Sequence, residues 1–248
     1  MTAIFMACLP GSIVAAADGA FYGQDGRLTT IASKFTLLPE HDCVITLQGP
    51  FFYHAELRAN LISNGGGFDC ILHAIPRVVR GIYDRYQNAY GYSRAFDMLI
   101  GGYSEERQCW ESYWLHSEPW KEGSNHEPYE PWQLVRAFRA AWVPGYGREA
   151  CAAAGMDPDT RLTEQGMGAY EIAVRVICAA RAQPIPIKDD PLRGTCQVGG
   201  FIQLVEMTRN TVTSSIAHRW PDMVGFRLSP EHGQLVPEFV EPETANVR

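Results

Sequence analysis

The chain has 248 residues, 46% of them apolar, which is enough for one large domain with a sizeable core. A net charge of −7 with no cluster of Lys or Arg speaks against a nucleic-acid binder. The seven cysteines are scattered and odd in number, without a CxxC pair, and no HxxxH or HxH spacing occurs, so neither a disulfide framework, a bound metal nor another cofactor is expected.

The first residues imitate a secretory signal, with an apolar run from Ile4 to Ala17 and a small-residue Ala15-Ala16-Ala17 ending. The imitation fails because no Lys or Arg precedes Arg27 and Pro10-Gly11 interrupts the run. No stretch reaches about eighteen uninterrupted apolar residues, so no membrane span is expected and the chain reads as cytoplasmic.

In chain order, residues 3–9 and 12–18 read as two strands of a hairpin turning at Pro10-Gly11. Both are almost continuously apolar, as is the strand expected over 43–49, which points to strands covered on both faces. A β-prone segment, 28–38, carries Lys34. After Gly49-Pro50 the period becomes helical, with Phe51, Ala55, Leu57, Leu61 and Ile62 expected on one face. Gly65-Gly66-Gly67 separates it from a second helix over about 68–88.

Strands follow at about 94–101 and 108–116, the second running into a segment 110–132 that holds four of the six tryptophans. Two readings of that segment stand: a cover for a cleft or neighbouring subunit, or a long loop packed by its aromatics onto the body. A helix is expected over 163–182 and a closing hairpin over 198–207 and 211–217. The domain is expected to span 1–228, with 229–248 as an extended tail. Two antiparallel sheets packed face to face with helices outside, an α+β architecture of αββα four-layer sandwich type, satisfy this order.

Three residues in this frame fit a mechanism. Removal of Met1 would leave Thr2 with a free α-amine of pKa about 7.7–8, so that one residue supplies both a nucleophilic hydroxyl and its base. Asp18 follows Thr2 by sixteen positions and Lys34 follows Asp18 by sixteen more. A two-residue hairpin turn brings Thr2 and Asp18 together, and an ammonium from Lys34 close to the Thr2 hydroxyl would favour its alkoxide. The N–H of Gly49, at a strand end, could stabilise an oxyanion.

This pattern of Thr2, Ala17-Asp18, Ser33-Lys34 and Gln48-Gly49 resembles the β-type subunits of the proteasome and the bacterial HslV peptidase, which are N-terminal-nucleophile hydrolases. Ile100-Gly101-Gly102-Tyr103 and Gly166-Met167-Gly168 are similar to later motifs of that family, although Met167 stands where the family usually has a serine. The resemblance implies a threonine-type peptidase or amidohydrolase that acts on a peptide or other amide substrate as a homo-oligomer, with Phe21 bordering the pocket for a substrate side chain. It also admits a catalytically inactive assembly or binding protein of the same fold, or a small-molecule amidase.

Overall fold

The computed structural model describes residues 2–23, 25–63, 65–90, 97–119, 129–137, 140–143, 148–161, 164–183, 196–229 and 246–247. Strands β1 (Ile4–Cys8) and β2 (Ile13–Asp18) form the expected hairpin, in a register that sets Ile4 opposite Ala17 and Cys8 opposite Ile13. The backbone N–H of Leu9 donates to the carbonyl of Ser12 across the Pro10-Gly11 turn, at 2.9 Å. The hairpin belongs to a six-stranded antiparallel sheet ordered β10-β1-β2-β11-β12-β13, where β10 is Ala140–Val143, β11 Phe201–Met207, β12 Val212–Arg219 and β13 the short Asn246–Val247.

The second sheet has five antiparallel strands in sequence order: β5 (Phe35–Leu38), β6 (Cys43–Gln48), β7 (Asp97–Ser104), β8 (Cys109–His116) and β9 (Leu134–Ala137). A separate two-stranded ribbon pairs β3 (Ala20–Tyr22) with β4 (Leu28–Ile31). The single β-prone segment expected over 28–38 is therefore two strands in two sheets, interrupted at residues 32–34. At the interruption the N–H of Ala32 bonds to the carbonyl of Gly19 (2.9 Å), so Lys34 leaves the ribbon and points elsewhere.

The absence of in/out alternation has a direct cause. In β1 and β2, Phe5, Ala7 and Ala16 pack with the helices α3 (Arg148–Ala153) and α4 (Ala169–Ala182), while Ile4, Met6, Ile13, Ala15 and Ala17 share a second cluster with Phe35, Val44 and Leu99 of the other sheet. A third cluster joins Cys43, Ile45, Leu47, Met98 and Ile100 to α1 (Phe51–Leu61) and α2 (Phe68–Tyr90). Each of these strands thus buries both rows of side chains, in different cores. Gly101 and Gly102 allow the close approach: a Cβ on Gly101 would lie 2.5 Å from Met6 Sδ, and one on Gly102 would lie 2.3 Å from the Phe68 ring.

The helices depart from expectation in informative ways. The buried side of α1 is Tyr53, His54, Leu57 and Leu61, whereas Phe51, Ala55 and Ile62 face outward. The second expected helix is present as α2, and it buries Phe68, Ile71, Ile75, Val79 and Ile82 along one face. The helix expected from residue 163 starts only at Ala169, because Gly166 is left-handed (φ +71°) and Gly168 is extended at the N-cap. Helix α3 has no counterpart in the sequence reading.

Of the Trp-rich segment, residues 120–128 lie outside the described residues, but its flanks pack back on the body. Tyr129 stacks on His116 at 4.3 Å, and the Trp132 ring meets Tyr83 edge-on at 5.0 Å. The expected tail lies almost wholly outside the described residues.

Candidate active site

Thr2 precedes β1 and Asp18 ends β2, so the hairpin register alone makes them neighbours across the outer end of the pair. The Asp18 N–H returns a bond to the carbonyl of Ala3 at 3.1 Å. The Asp18 carboxylate is wholly buried and accepts four donors. Its Oδ1 takes the Ala3 N–H and Lys34 Nζ, each at 2.9 Å, and its Oδ2 takes the N–H groups of Ala20 and Gly199, each at 3.1 Å. A buried carboxylate is tolerable only when its lone pairs are filled in this way.

Lys34 is equally buried, and its ammonium donates a second bond to Thr2 Oγ1 at 2.9 Å. Burial pushes its proton affinity below the usual lysine range, while the Asp18 charge acts in the opposite sense. Lys34 Nζ also lies 4.9 Å from the centre of the Phe21 ring, a cation–π distance. A cation anchored by a carboxylate and aimed at a hydroxyl lowers the cost of forming the oxygen anion there.

Thr2, Asp18, Lys34 and Phe21 therefore form one chain of contacts. Gly49 occupies the half-buried bend between β6 and α1, and no hydrogen bond among the described residues links it to the other three. It adjoins Pro50 and then Phe51, whose ring meets Phe21 edge-on at 5.2 Å. Met167 packs against the apolar cluster around α4, bringing a thioether where the resemblance would have placed a hydroxyl.

The structure adds residues that the sequence reading missed. The Gly199 amide that caps Asp18 is 181 positions away in the chain. The turn bearing it is held by a buried ion pair, in which Arg181 of α4 donates from Nη1 and Nη2 to the two oxygens of Asp222, each at 2.9 Å. Arg181 also donates to the carbonyls of Val198 (2.8 Å) and Ser229 (2.9 Å), and Asp222 accepts the Gly200 N–H at 2.7 Å. The one sequence signal was Gly199-Gly200 ahead of a strand, with Gly200 in the left-handed region (φ +75°). His54 is a further buried polar residue beside Phe21, with the ring centres 6.2 Å apart.

No family model and no curated sequence matches the chain. Solved structures do resemble it. Anbu (ancestral beta-subunit) from Yersinia bercovieri superposes with a TM-score of 0.54 at 11% identity, covering 84% of this chain and 82% of its own. Anbu from Hyphomicrobium sp. strain MC1 does so with a TM-score of 0.54 at 14% identity, covering 87% of both chains, and a Gly-1 mutant of Anbu from that strain gives 0.55 at the same identity and coverage. At such identities the likeness is one of fold, and by its fold this chain is proteasome-like, with antiparallel sheets and few helices in the manner of an Anbu β-subunit.

Proposed function

We propose that the chain, once Met1 is removed, is a threonine-type N-terminal-nucleophile hydrolase of αββα architecture that cleaves peptide or other amide bonds. The observation that carries this reading is the buried line Thr2 Oγ1, Lys34 Nζ, Asp18 Oδ1, with both intervals at 2.9 Å. The three apolar clusters support the layered architecture.

The freed α-amine of Thr2 takes the proton from Oγ, and Oγ adds to the substrate carbonyl carbon. The carbonyl electron pair moves to its oxygen, where the Gly49 N–H stabilises the charge. Collapse expels the leaving amine, which receives the proton held by the Thr2 ammonium, and water then hydrolyses the acyl ester by the same steps. Lys34 favours the attacking alkoxide, and Asp18 keeps Lys34 oriented. Self-association is part of the proposal, supported by the exposed Phe51 and Phe52 of α1 and Ile62 just past its end.

The test is the intact mass of untagged protein before and after exposure to a peptide epoxyketone, a reagent that requires both the amine and the hydroxyl of an N-terminal threonine. Loss of one methionine and a single adduct on Thr2, absent in Lys34→Ala, is expected. A retained Met1 would overturn the hydrolase reading. It would leave a proteasome-fold binding protein, the alternative that Met167 favours.

A further inference from the structure

The end of the molecule away from Thr2 holds a cavity that the proposed chemistry does not use. In the register of β2 with β11, Ile202 lies opposite Asp18 and Met207 opposite Ile13. Met207 therefore stands about 17 Å along β11 from the Asp18 end, at the usual rise of an antiparallel strand. There a cavity of about 450 Å³ opens between the β11–β12 turn and the connection from β5 to β6. A space of that size suits a small organic molecule. Its apolar lining is Leu37, Pro39, Met207 and Val212, and all of these but Pro39 continue the cluster shared by the two sheets.

The charged groups of the lining are Asp42 and Arg209. Asp42 is held in the left-handed region (φ +49°), where its N–H donates to the carbonyl of Pro39 and its own carbonyl accepts the N–H of Tyr103, each at 3.2 Å. Its carboxylate is poorly served. Among the described residues its one ion-pair partner is Arg209, 3.4 Å from Oδ2. That guanidinium is held more closely by Glu105, at 2.5 Å, and lies 4.1 Å from the centre of the Tyr103 ring. Two carboxylates thus share one cation, and this corner of the cavity carries an excess of negative charge. Burial pushes the Asp42 pKa up, Arg209 opposes the shift and Glu105 adds to it, the pattern of a carboxylate short of favourable partners.

We infer that this cavity binds a small organic cation, a primary ammonium on a short aliphatic body, with the ammonium donating to Asp42 and the body lying on Leu37, Met207 and Val212. The ammonium supplies the charge-assisted donor that the carboxylate lacks. The body covers apolar surface at the end of the core, where each methylene withdrawn from water adds to affinity. An anion would meet Asp42 and Glu105 with Arg209 already engaged by both. A neutral alcohol would fill the apolar part and leave the negative charge as it stands. The site lies away from Thr2, so the inference stands or falls independently of the hydrolase reading.

The test titrates the full-length protein, labelled with carbon-13 at its methionine methyl groups, with hexylamine at neutral pH, hexanol and hexanoate, which share one body and differ in the head. The probe is the NMR signal of the Met207 methyl, assigned by its loss in Met207→Leu. Hexylamine, charged at that pH, is expected to shift this signal saturably and to bind at least about fivefold more tightly than hexanol, the effect of one charge-assisted hydrogen bond in a half-exposed setting. Hexanoate should bind more weakly than hexanol. Asp42→Asn, which keeps a residue type that tolerates the left-handed backbone, should bring hexylamine down to the affinity of hexanol, with urea unfolding confirming that the variant is folded. Hexanol or hexanoate binding as tightly as hexylamine, no saturable shift of Met207 with hexylamine, or an unchanged preference in folded Asp42→Asn would overturn the inference. The comparison of the three heads on the wild-type protein decides the matter even where the variant does not fold.

Discussion

Asp18→Asn should destabilise the protein more than Lys34→Met, although both break the same buried ion pair. The Asp18 carboxylate receives two donors on each oxygen: Ala3 N–H and Lys34 Nζ on Oδ1, Ala20 and Gly199 N–H on Oδ2. An asparagine has one acceptor oxygen, so whichever way it turns, its NH2 group faces two N–H donors and leaves both unpaired. At about 1–3 kcal/mol for each stranded donor, and with the Lys34 ammonium losing its counter-charge, the loss is about 3–5 kcal/mol. Lys34→Met removes one donor, leaves Asp18 with three backbone N–H bonds, and fills most of the lysine stem's volume, for a loss of about 1–3 kcal/mol. Equilibrium urea unfolding measures both. With a slope near 3 kcal/mol/M, Asp18→Asn should lower the midpoint by about 1–1.7 M and Lys34→Met by about 0.3–1 M. A Lys34→Met loss equal to or greater than that of Asp18→Asn would refute the reasoning, for it would mean that the ammonium and not the amide cage holds the carboxylate. Lys34→Met should stay folded and yet fail to label with the epoxyketone, which separates chemistry from stability.

His54 should make the protein acid-sensitive. The unfolded chain binds a proton at His54 below pH 6.5, whereas the folded chain does so only near pH 3, so stability falls as the pH drops through that window. Between pH 7.5 and 5 this residue should account for about 2 kcal/mol, a loss that wild type shows and His54→Leu does not when their urea midpoints are compared at the two pH values. Arg181→Met should cost about 3–5 kcal/mol by leaving Asp222 buried without its partner, and Arg181→Met/Asp222→Leu should recover part of it, both read from thermal unfolding.

The legible part of the site was the part set by local geometry. Pro10-Gly11 dictates a tight turn, and an even register from it brings Thr2 beside Asp18. The doubly apolar strands were legible for the same reason, since covering both faces leaves a direct mark on composition. Spacing singled out Lys34 as a candidate but not its release from the strand, because the interruption at 32–34 depends on a bond to the Gly19 carbonyl that no local pattern announces. The Gly199 cap and the Arg181–Asp222 pair were invisible because they join segments far apart in the chain. His54 was hidden by an error of face: the helical pattern selected Phe51, Ala55 and Ile62, and the side that is buried carries Tyr53 and His54 instead.

Lys34 sits between a ribbon strand and the first strand of the five-stranded sheet, whereas Thr2 and Asp18 belong to the hairpin of the six-stranded sheet. Neither sheet alone contains all three groups. The hairpin by itself brings Thr2 beside Asp18 but no cation; the ammonium comes from the segment that leads into the sheet packed over Ile4 and Met6 through Phe35 and Val44. The Thr2–Lys34 contact is thereby a report on tertiary closure: a probe that reads the Thr2 hydroxyl reads whether segments of both sheets have come together.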